Sequence, residues 1–242
     1  MKTDDMTRNA HALLVFMVTL SAVIGVQLAV SGYGMAWQWL HWICKPLATA
    51  LIFCVAWRAQ PTLSTHYRRW ILCGIACSLV GDVLLMLPQN LFVPGLIAFL
   101  FGHLCFLGAF LGDSRFAARP WLLLTSLGYG AINLCFLWSS IATALRMPVL
   151  VYVLVLACMA GQAMVRARVL AQSHDAQARR AGLAAAGALM FMLSDSVLAW
   201  NRFHAPIPWA NVWVLSTYYL ALYWIACSVQ RDGLSTNTSA VQ

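Results

Sequence analysis

The sequence contains no glutamate, and only 9% of its 242 residues are charged. A soluble globular protein carries about 25% charged residues and about 45–50% apolar ones, whereas hydrophobic residues make up 62% of this chain. So few charged residues could not form a polar surface over so large an apolar core, which excludes a soluble globular domain. A membrane protein has no such requirement, because its apolar outer surface contacts lipid.

The eight cysteines include no C-x-x-C pair, and all lie in apolar segments. Cys73 and Cys77 share a helical face, but no second pair of ligands accompanies them. This pattern predicts neither a zinc site nor a disulfide framework. We therefore expect the cysteines to be small, buried hydrophobic side chains.

The positive charge is dispersed along the chain. The formal net charge is +8, from 15 Lys and Arg against 7 acidic residues. The arginines stand in short segments between apolar runs, which is typical of loops that face anionic lipid. A nucleic-acid-binding surface would instead cluster them, so nucleic acid is excluded as a partner.

Apolar runs of membrane-spanning length fill most of the sequence. A spanning helix needs about 20 apolar residues, and eight such segments are predicted, at about 11–31, 36–57, 70–88, 91–111, 120–138, 147–165, 181–200 and 208–229. The sequence thus predicts an all-α, multi-pass transmembrane helical bundle, with a single membrane domain over residues 1–242 and a flexible tail at 231–242. The first run exceeds the core of about 7–15 residues found in signal peptides, so we expect a retained helix.

The distribution of Lys and Arg predicts the orientation of the bundle. With alternating helix directions, twelve of these residues fall on one side, Arg146 and Arg202 fall on the other, and Lys45 lies within a span. Cytoplasmic loops carry the excess of positive charge. Both termini are therefore predicted to be cytoplasmic, in the inner (plasma) membrane if the source is bacterial.

Two of the seven aspartates, Asp82 and Asp195, lie inside the third and seventh predicted spans. A charged group at the centre of a span costs about 2.5–3.5 kcal/mol on insertion scales, so such residues usually face a cavity or pair with another group. Both spans start on the same side, which places the aspartates about 18 and 21 Å from it at 1.5 Å per residue. A functional role is predicted for both; the alternative is a structural polar contact between helices.

Other polar side chains lie near the same depth: Lys45, His103, Asn133, Ser194, Tyr218 and Tyr219. Some have simpler interpretations, since a lysine can extend its amine to the membrane surface and the histidine and tyrosines can serve packing. In a site without water, a neighbouring like charge favours the protonated form of a carboxyl group, whereas a nearby cation favours the carboxylate. Two such carboxyl groups would provide a proton donor and a base.

Five short segments around these residues follow one another in a characteristic order. They are residues 45–47 (KPL), 79–87 (LVGDVLLML), 99–103 (FLFGH), 187–199 (GALMFMLSDSVLA) and 216–219 (STYY). In this order the set resembles the YhhN-type lysoplasmalogenase family of integral membrane hydrolases. The ordered set is more specific than any one of its motifs.

The resemblance implies hydrolysis of the vinyl-ether bond of a lysoplasmalogen to a fatty aldehyde and a glycerophospho-ethanolamine or -choline. The substrate would be a lysophospholipid taken from membrane lipid, and no metal or redox cofactor is implied. We expect Asp82 and Asp195 to divide the roles of acid and carboxylate, as paired acids do in glycoside hydrolysis, with either assignment open. Lys45 and His103 would set their protonation or contact the phosphate, and Tyr218 or Tyr219 would place water.

Three other functions are compatible with intramembrane acids. A proton-coupled transporter would use the same aspartates as a relay, and the [Gly/Ser]-Asp pattern at Asp82 and Asp195 allows a parallel repeat of four helices each. An intramembrane aspartyl protease fits less well, because its Gly-x-Gly-Asp and Tyr-Asp motifs correspond here to 79–82 (LVGD) and 194–195 (SD). A lipid-binding protein without catalysis is the third. The sequence leaves the oligomeric state open.

Overall fold

Eight α-helices make up the structure, a computed structural model that describes residues 2–87, 89, 91–173 and 177–231, with side chains from residue 10 onward. The helices are α1 (Lys2–Val30), α2 (Met35–Arg58), α3 (Thr65–Met86), α4 (Phe92–Leu111), α5 (Pro120–Leu137), α6 (Thr143–Gln172), α7 (Ala178–Phe203) and α8 (Ala210–Cys227). Within these ranges the only β-type pairing is an isolated bridge between Thr62 and Gln230. The predicted all-α bundle is confirmed.

The lengths and surfaces of the helices suit a membrane. Among the described residues, α1 to α7 are long and apolar enough to span one. The eighth helix is 18 residues long and carries more polar and aromatic side chains, and it packs against α1, α2, α3 and α7. Large apolar side chains such as Phe101, Ile132 and Leu154 are more than half exposed in the middle of their helices, as expected for a surface that contacts lipid.

Several helices extend beyond the predicted spans. The third begins at Thr65 rather than near residue 70, and the sixth continues to Gln172 rather than ending near 165. The Ser64 hydroxyl explains the first difference, because it caps α3 by accepting the Tyr67 N–H at 3.0 Å. The predicted spans stop where charged residues begin, but a helix continues until a cap or a break ends it.

Two predicted features fall partly outside the described residues. The end of the third predicted span includes residue 88, and the predicted flexible tail at 231–242 continues past residue 231; these parts are not described. The single membrane domain over the whole chain stays a prediction.

One end of the bundle, here called the Arg166 end, is held by a buried arginine that lies just beyond the sixth predicted span. Arg166 lies inside α6 and is only 1% exposed. Its Nε and Nη2 donate to the two carboxylate oxygens of Asp113 at 2.6 and 2.7 Å. Its guanidinium also stacks on the Tyr67 ring at 4.7 Å, and Tyr67 hydrogen-bonds Ser228 at 2.8 Å. This network joins α3, α6, the start of the α4–α5 connection and the end of α8.

The opposite end, here called the Arg202 end, is where α1, α3, α5 and α7 finish. The even number of helices returns the chain to the Arg166 end, where Leu63 N–H donates to the Val229 carbonyl at 3.0 Å. The cytoplasmic placement of the Arg166 end stays a prediction.

Glycines bring two helix pairs into close contact. A methyl group at Gly102 would lie 3.1 Å from the Gly74 carbonyl oxygen, and one at Gly187 would lie 2.7 Å from the Ala221 carbonyl oxygen. Small residues at helix interfaces in membranes allow this approach of backbones. The pairs α3–α4 and α7–α8 are thereby fixed, and each carries one intramembrane aspartate.

The cysteines are less buried than predicted. Cys44 is buried, Cys73 and Cys135 are exposed, and the other five are intermediate; all are free thiols. The prediction was wrong because a lipid-facing surface accepts a small apolar side chain as readily as the interior does.

Candidate active site

A cavity of about 400 Å³ lies inside the bundle, and all eight helices contribute to its wall. This volume is within the range of about 300–1,000 Å³ that is typical of small-molecule sites. Most of the lining is apolar, but both Asp82 and Asp195 belong to it. The two acids predicted at one depth therefore face the same cavity.

The first acid, Asp82, is surrounded by hydrogen-bond donors and a cation. It is 1% exposed, and its Oδ2 accepts hydrogen bonds from Thr49 Oγ1 and Tyr218 Oη, both at 2.6 Å. The Lys45 ammonium lies 3.5 Å from Oδ1. These partners come from α2 and α8. All three interactions favour the ionised carboxylate and so oppose the burial of Asp82, which by itself favours the neutral acid.

The second acid, Asp195, has a different set of partners. Its Oδ2 accepts a hydrogen bond from Tyr152 Oη at 2.5 Å, and His103 Nε2 lies 3.5 Å from the same oxygen. His103 Nε2 is also 3.0 Å from Tyr152 Oη. These partners come from α4 and α6. The Asp195 side chain is 13% exposed, against 2% for that of Asp82.

The buried His103 ring is satisfied on one side only. The residue is fully buried, and within the described part of the chain its Nδ1 has no hydrogen-bond partner. A ring proton on Nε2 could be donated toward Tyr152 Oη, and Nδ1 would then need no acceptor.

A phenylalanine lies between the two acid groups. The ring of Phe191 packs edge to face against His103 at 4.6 Å and against Tyr218 at 5.4 Å. It precedes Asp195 by one helical turn. Asp82 and Asp195 each have their own hydrogen-bond network, and the Phe191 ring joins the two networks by contacting one partner of each aspartate.

The sequence matches the YhhN family over residues 40–229, a range that includes both acid groups. The chain belongs to the YhhN family. The predicted family and the predicted multi-pass membrane protein are thereby confirmed.

Proteins similar to this chain include some that are named as enzymes. Lysoplasmalogenase TMEM86B of Homo sapiens is 34% identical over 196 residues, which cover 80% of this chain and 78% of that protein. Lysoplasmalogenase TMEM86A of Homo sapiens is 32% identical over 189 residues, covering 76% and 75%. The uncharacterized membrane protein YhhN of Escherichia coli O157:H7 is 30% identical over 148 residues, covering 60% and 68%. No solved structure matches the chain.

Two of the predicted site residues in this YhhN protein use their hydroxyl groups in contacts between helices. Ser194 lines the cavity, but its Oγ donates to the Val214 carbonyl at 2.9 Å and so links α7 to α8. Tyr219 is not part of the described cavity wall, and its hydroxyl donates to the Lys45 carbonyl at 3.0 Å. Of the two adjacent tyrosines, Tyr218 is therefore the one that reaches an acid.

The predicted Asn133 lies on the cavity wall at some distance from the acids' hydrogen bonds. Its Nδ2 donates to the Tyr129 carbonyl, and its Oδ1 accepts the Trp200 indole N–H, both at 2.9 Å. Asn133 thus ties α5 to α7 and holds the wall of the cavity.

Sequence reasoning missed two residues that bind the acids, Thr49 and Tyr152. Thr49 follows Lys45 by four residues, a spacing that places both side chains on one helical face. Tyr152 is a phenol inside a largely apolar span. The spacing of Thr49 from Lys45 and the phenol of Tyr152 are both visible in the sequence. Threonine and tyrosine are nevertheless common in such spans, and only the contacts made between helices show that these two bind the acids.

Proposed function

We propose that this protein is an intramembrane lysoplasmalogenase, which hydrolyses the vinyl-ether bond of a lysoplasmalogen to a fatty aldehyde and glycerophospho-ethanolamine or -choline. The observation that carries the proposal is one cavity within the bundle that is lined by two acids with different partners. The chain's similarity to proteins named lysoplasmalogenase supports the choice of substrate.

The partners favour Asp195 as the proton donor and Asp82 as the carboxylate. Asp82 has a lysine ammonium and two hydroxyl donors, which stabilise its negative charge. The partners of Asp195 described above are a tyrosine and a histidine, so no lysine or arginine among them opposes its protonation. Two carboxyl groups in different environments are the usual arrangement for acid and base work at neutral pH.

The reaction begins when Asp195 gives its proton to the outer carbon of the alkene. Positive charge then develops on the carbon bonded to the ether oxygen, and the Asp82 carboxylate stabilises this oxocarbenium ion. Water attacks the same carbon and gives a proton to Asp82, which forms a hemiacetal. In its collapse Asp195 takes the hemiacetal hydroxyl proton while Asp82 protonates the departing glycerol oxygen. One water is consumed, and both acids return to their starting forms.

The experiment is aldehyde release from a purified lysoplasmalogen by the protein in detergent, with Asp82→Asn and Asp195→Asn beside the wild type. We expect both variants to lose turnover while their melting temperatures stay close to that of the wild type. In D₂O the wild-type aldehyde should carry one deuterium on the carbon next to the carbonyl, because that carbon receives the catalytic proton. Full activity in either asparagine variant would sink the assignment.

A proton-coupled transporter is the alternative that the same acids allow. Transporters of this kind often place their sites at broken helices, whereas α3 and α7 run without interruption past Asp82 and Asp195. If folded wild-type protein released no aldehyde, proton flux in liposomes would be the next measurement.

A further inference from the structure

Three cysteine side chains come together between α3 and α4, away from the two acids. The sulfur atoms of Cys73, Cys77 and Cys105 all lie within 4.8 Å of one another, and none of these residues belongs to the described cavity wall. We propose that the three thiols bind a soft monovalent metal ion, Cu(I), which joins α3 to α4. This site is independent of the proposed hydrolase activity.

The first two thiols share one face of α3. Cys77 follows Cys73 by four residues, the spacing that places two side chains beside each other on a helix. A pair of thiols on one helix is a weak signal, and in the sequence the next cysteine is 28 residues further along. The return of the chain in α4 brings that residue, Cys105, back beside the pair. The structure therefore supplies a third ligand that the local sequence spacing does not contain.

Glycines fix the position of the third thiol. Gly102, three residues before Cys105, lies so close to α3 that an added methyl group would be 3.1 Å from the Gly74 carbonyl oxygen and 3.6 Å from the Cys77 Cβ. Gly74 in turn leaves room for the ring of Phe106, the neighbour of Cys105. The sulfurs are therefore held near one another before any metal binds, which lowers the cost of ordering them.

The separation of the sulfurs suits three thiolates around one ion. A thiolate sulfur lies about 2.3 Å from a metal ion such as zinc, so three sulfurs in a plane around one ion are about 4 Å apart. The sulfur atoms therefore need to approach one another by no more than about 0.8 Å to reach this geometry. Small rotations of the three side chains provide this change without any movement of the helices.

The ligand set favours Cu(I) over other metals. Thiolates are soft ligands, which select Cu(I), zinc and iron–sulfur clusters. Structural zinc and iron–sulfur clusters usually take four protein ligands, whereas the described residues contribute three sulfur atoms here. The nearby Ser78 hydroxyl donates to the Gly74 carbonyl at 3.0 Å, so it is not a fourth ligand. Copper accepts a trigonal set of ligands with only a weak fourth one.

Access and charge also suit an ion that arrives from the Arg166 end. Cys73 is exposed, so the group can be reached from outside the bundle. Each thiol that binds as a thiolate releases its proton, and Cu(I) with three thiolates carries a net negative charge that lipid opposes. Arg69 is exposed and precedes Cys73 by four residues, so a cation lies on the same helical face and stabilises the charged complex.

The test measures Cu(I) binding by the reduced wild-type protein in detergent under nitrogen. Bicinchoninate, a coloured Cu(I) chelator, competes for the ion, and the loss of its colour gives the affinity and the number of ions bound. We expect one ion per chain to resist this competition. Cys73→Ala, Cys77→Ala and Cys105→Ala should each weaken binding at least about 10-fold, because removing a group that only orients a metal ligand already costs about 10- to 100-fold.

The matched control is Cys135→Ala. Cys135 is also an exposed thiol, but it lies on α5 and does not belong to the group of three sulfurs. This variant should bind Cu(I) as the wild type does. If it weakened binding as much as Cys105→Ala, the ion would be held by dispersed surface thiols and the site would be wrong.

Two further measurements report on the site itself. X-ray absorption at the copper edge should show three sulfur neighbours in the wild type and two in Cys105→Ala. Cu(I) should raise the melting temperature of the wild type, because an ion that binds only the folded state stabilises it, and should raise that of Cys105→Ala less. Folded, reduced wild type that retains no Cu(I) would overturn the proposal, and so would a site that retains zinc but no Cu(I). Aldehyde release plays no part in these measurements, so their outcome is separate from that of the hydrolase assay.

Discussion

Replacing Tyr218 by phenylalanine removes one hydroxyl group from the site and keeps the ring that packs on Phe191. That hydroxyl donates to Asp82 at 2.6 Å. A hydrogen bond to a charged group contributes about 1.5–3 kcal/mol, but Thr49 donates to the same oxygen and stays in place. We therefore expect a loss of about 1.5–2 kcal/mol of transition-state stabilisation, which lowers kcat about 10- to 30-fold.

The adjacent Tyr219 offers a matched control. Both tyrosines are buried in α8, at 4% and 2% exposure, and Tyr219→Phe also removes one hydroxyl, which donates to a backbone carbonyl at 3.0 Å. This change should lower the free energy of unfolding by about 1 kcal/mol and leave kcat near the wild-type value. The assay is aldehyde release at saturating and limiting lysoplasmalogen, with thermal unfolding measured on each preparation.

Two results would refute this reasoning. Wild-type kcat in Tyr218→Phe would mean that catalysis does not use the Asp82 carboxylate held by this bond. A loss in Tyr219→Phe as large as that in Tyr218→Phe would mean that kcat responds to the packing of α8 and not to the hydrogen bond to Asp82.

Two further predictions concern stability and are checked by thermal unfolding in detergent. Asp113→Ala should lower the free energy of unfolding by about 2–3 kcal/mol, because it leaves the buried guanidinium of Arg166 without its carboxylate; a fully buried pair would cost about 3–5 kcal/mol, but the Asp113 side chain is 36% exposed. Adding Arg166→Met should recover most of the loss. A single variant as stable as the wild type would contradict the network. Gly187→Ala should cost about 1–3 kcal/mol, because its methyl group would lie 2.7 Å from the Ala221 carbonyl oxygen. Gly182 lies on the same helix with open space around it, so Gly182→Ala should be neutral or stabilising by up to about 1 kcal/mol. Equal melting temperatures for these two glycine variants would contradict the close approach of α7 and α8.

The sequence was sufficient for the helices and for the depth of the acids. Apolar runs reveal spans because lipid imposes one simple requirement on every segment, and the rise per residue converts sequence position into depth. Asp82 and Asp195 could therefore be placed at one level before their surroundings were known. The helix ends were less predictable, because a cap such as Ser64 and an internal ion pair such as Arg166–Asp113 let helices continue past the hydrocarbon.

The rotation of each helix about its axis and the pairing of side chains between helices could not be predicted from the sequence. Depth does not say which face of a helix turns inward, so Tyr218 and Tyr219 were equivalent candidates until the structure placed one against Asp82 and the other against a backbone carbonyl. The same limit hid Tyr152, whose importance comes from contacts made across the bundle with His103 and Asp195.

The contacts of the two acids follow one pattern in the two halves of the bundle. Asp82 on α3 is bound from α2 of its own half and from α8 of the other half. Asp195 on α7 is approached from α6 of its own half and from α4 of the other half. Each acid thus has partners on the helix before it and on the final helix of the opposite half, as a parallel repeat of four helices each would require.

This reciprocal arrangement explains how two similar positions can perform different chemistry. The helices approach both acids in the same arrangement, so the backbone alone does not distinguish Asp82 from Asp195. The side chains break the equivalence, because Asp82 meets a lysine where Asp195 meets a tyrosine, and Asp82 meets a tyrosine where Asp195 meets a histidine. A fixed cation on one acid alone favours a carboxylate there and a protonated group on the other. Under the proposed mechanism Lys45→Met should therefore lower kcat, since it removes the ammonium that lies beside Asp82; a variant with wild-type kcat would show that the division of roles has another source.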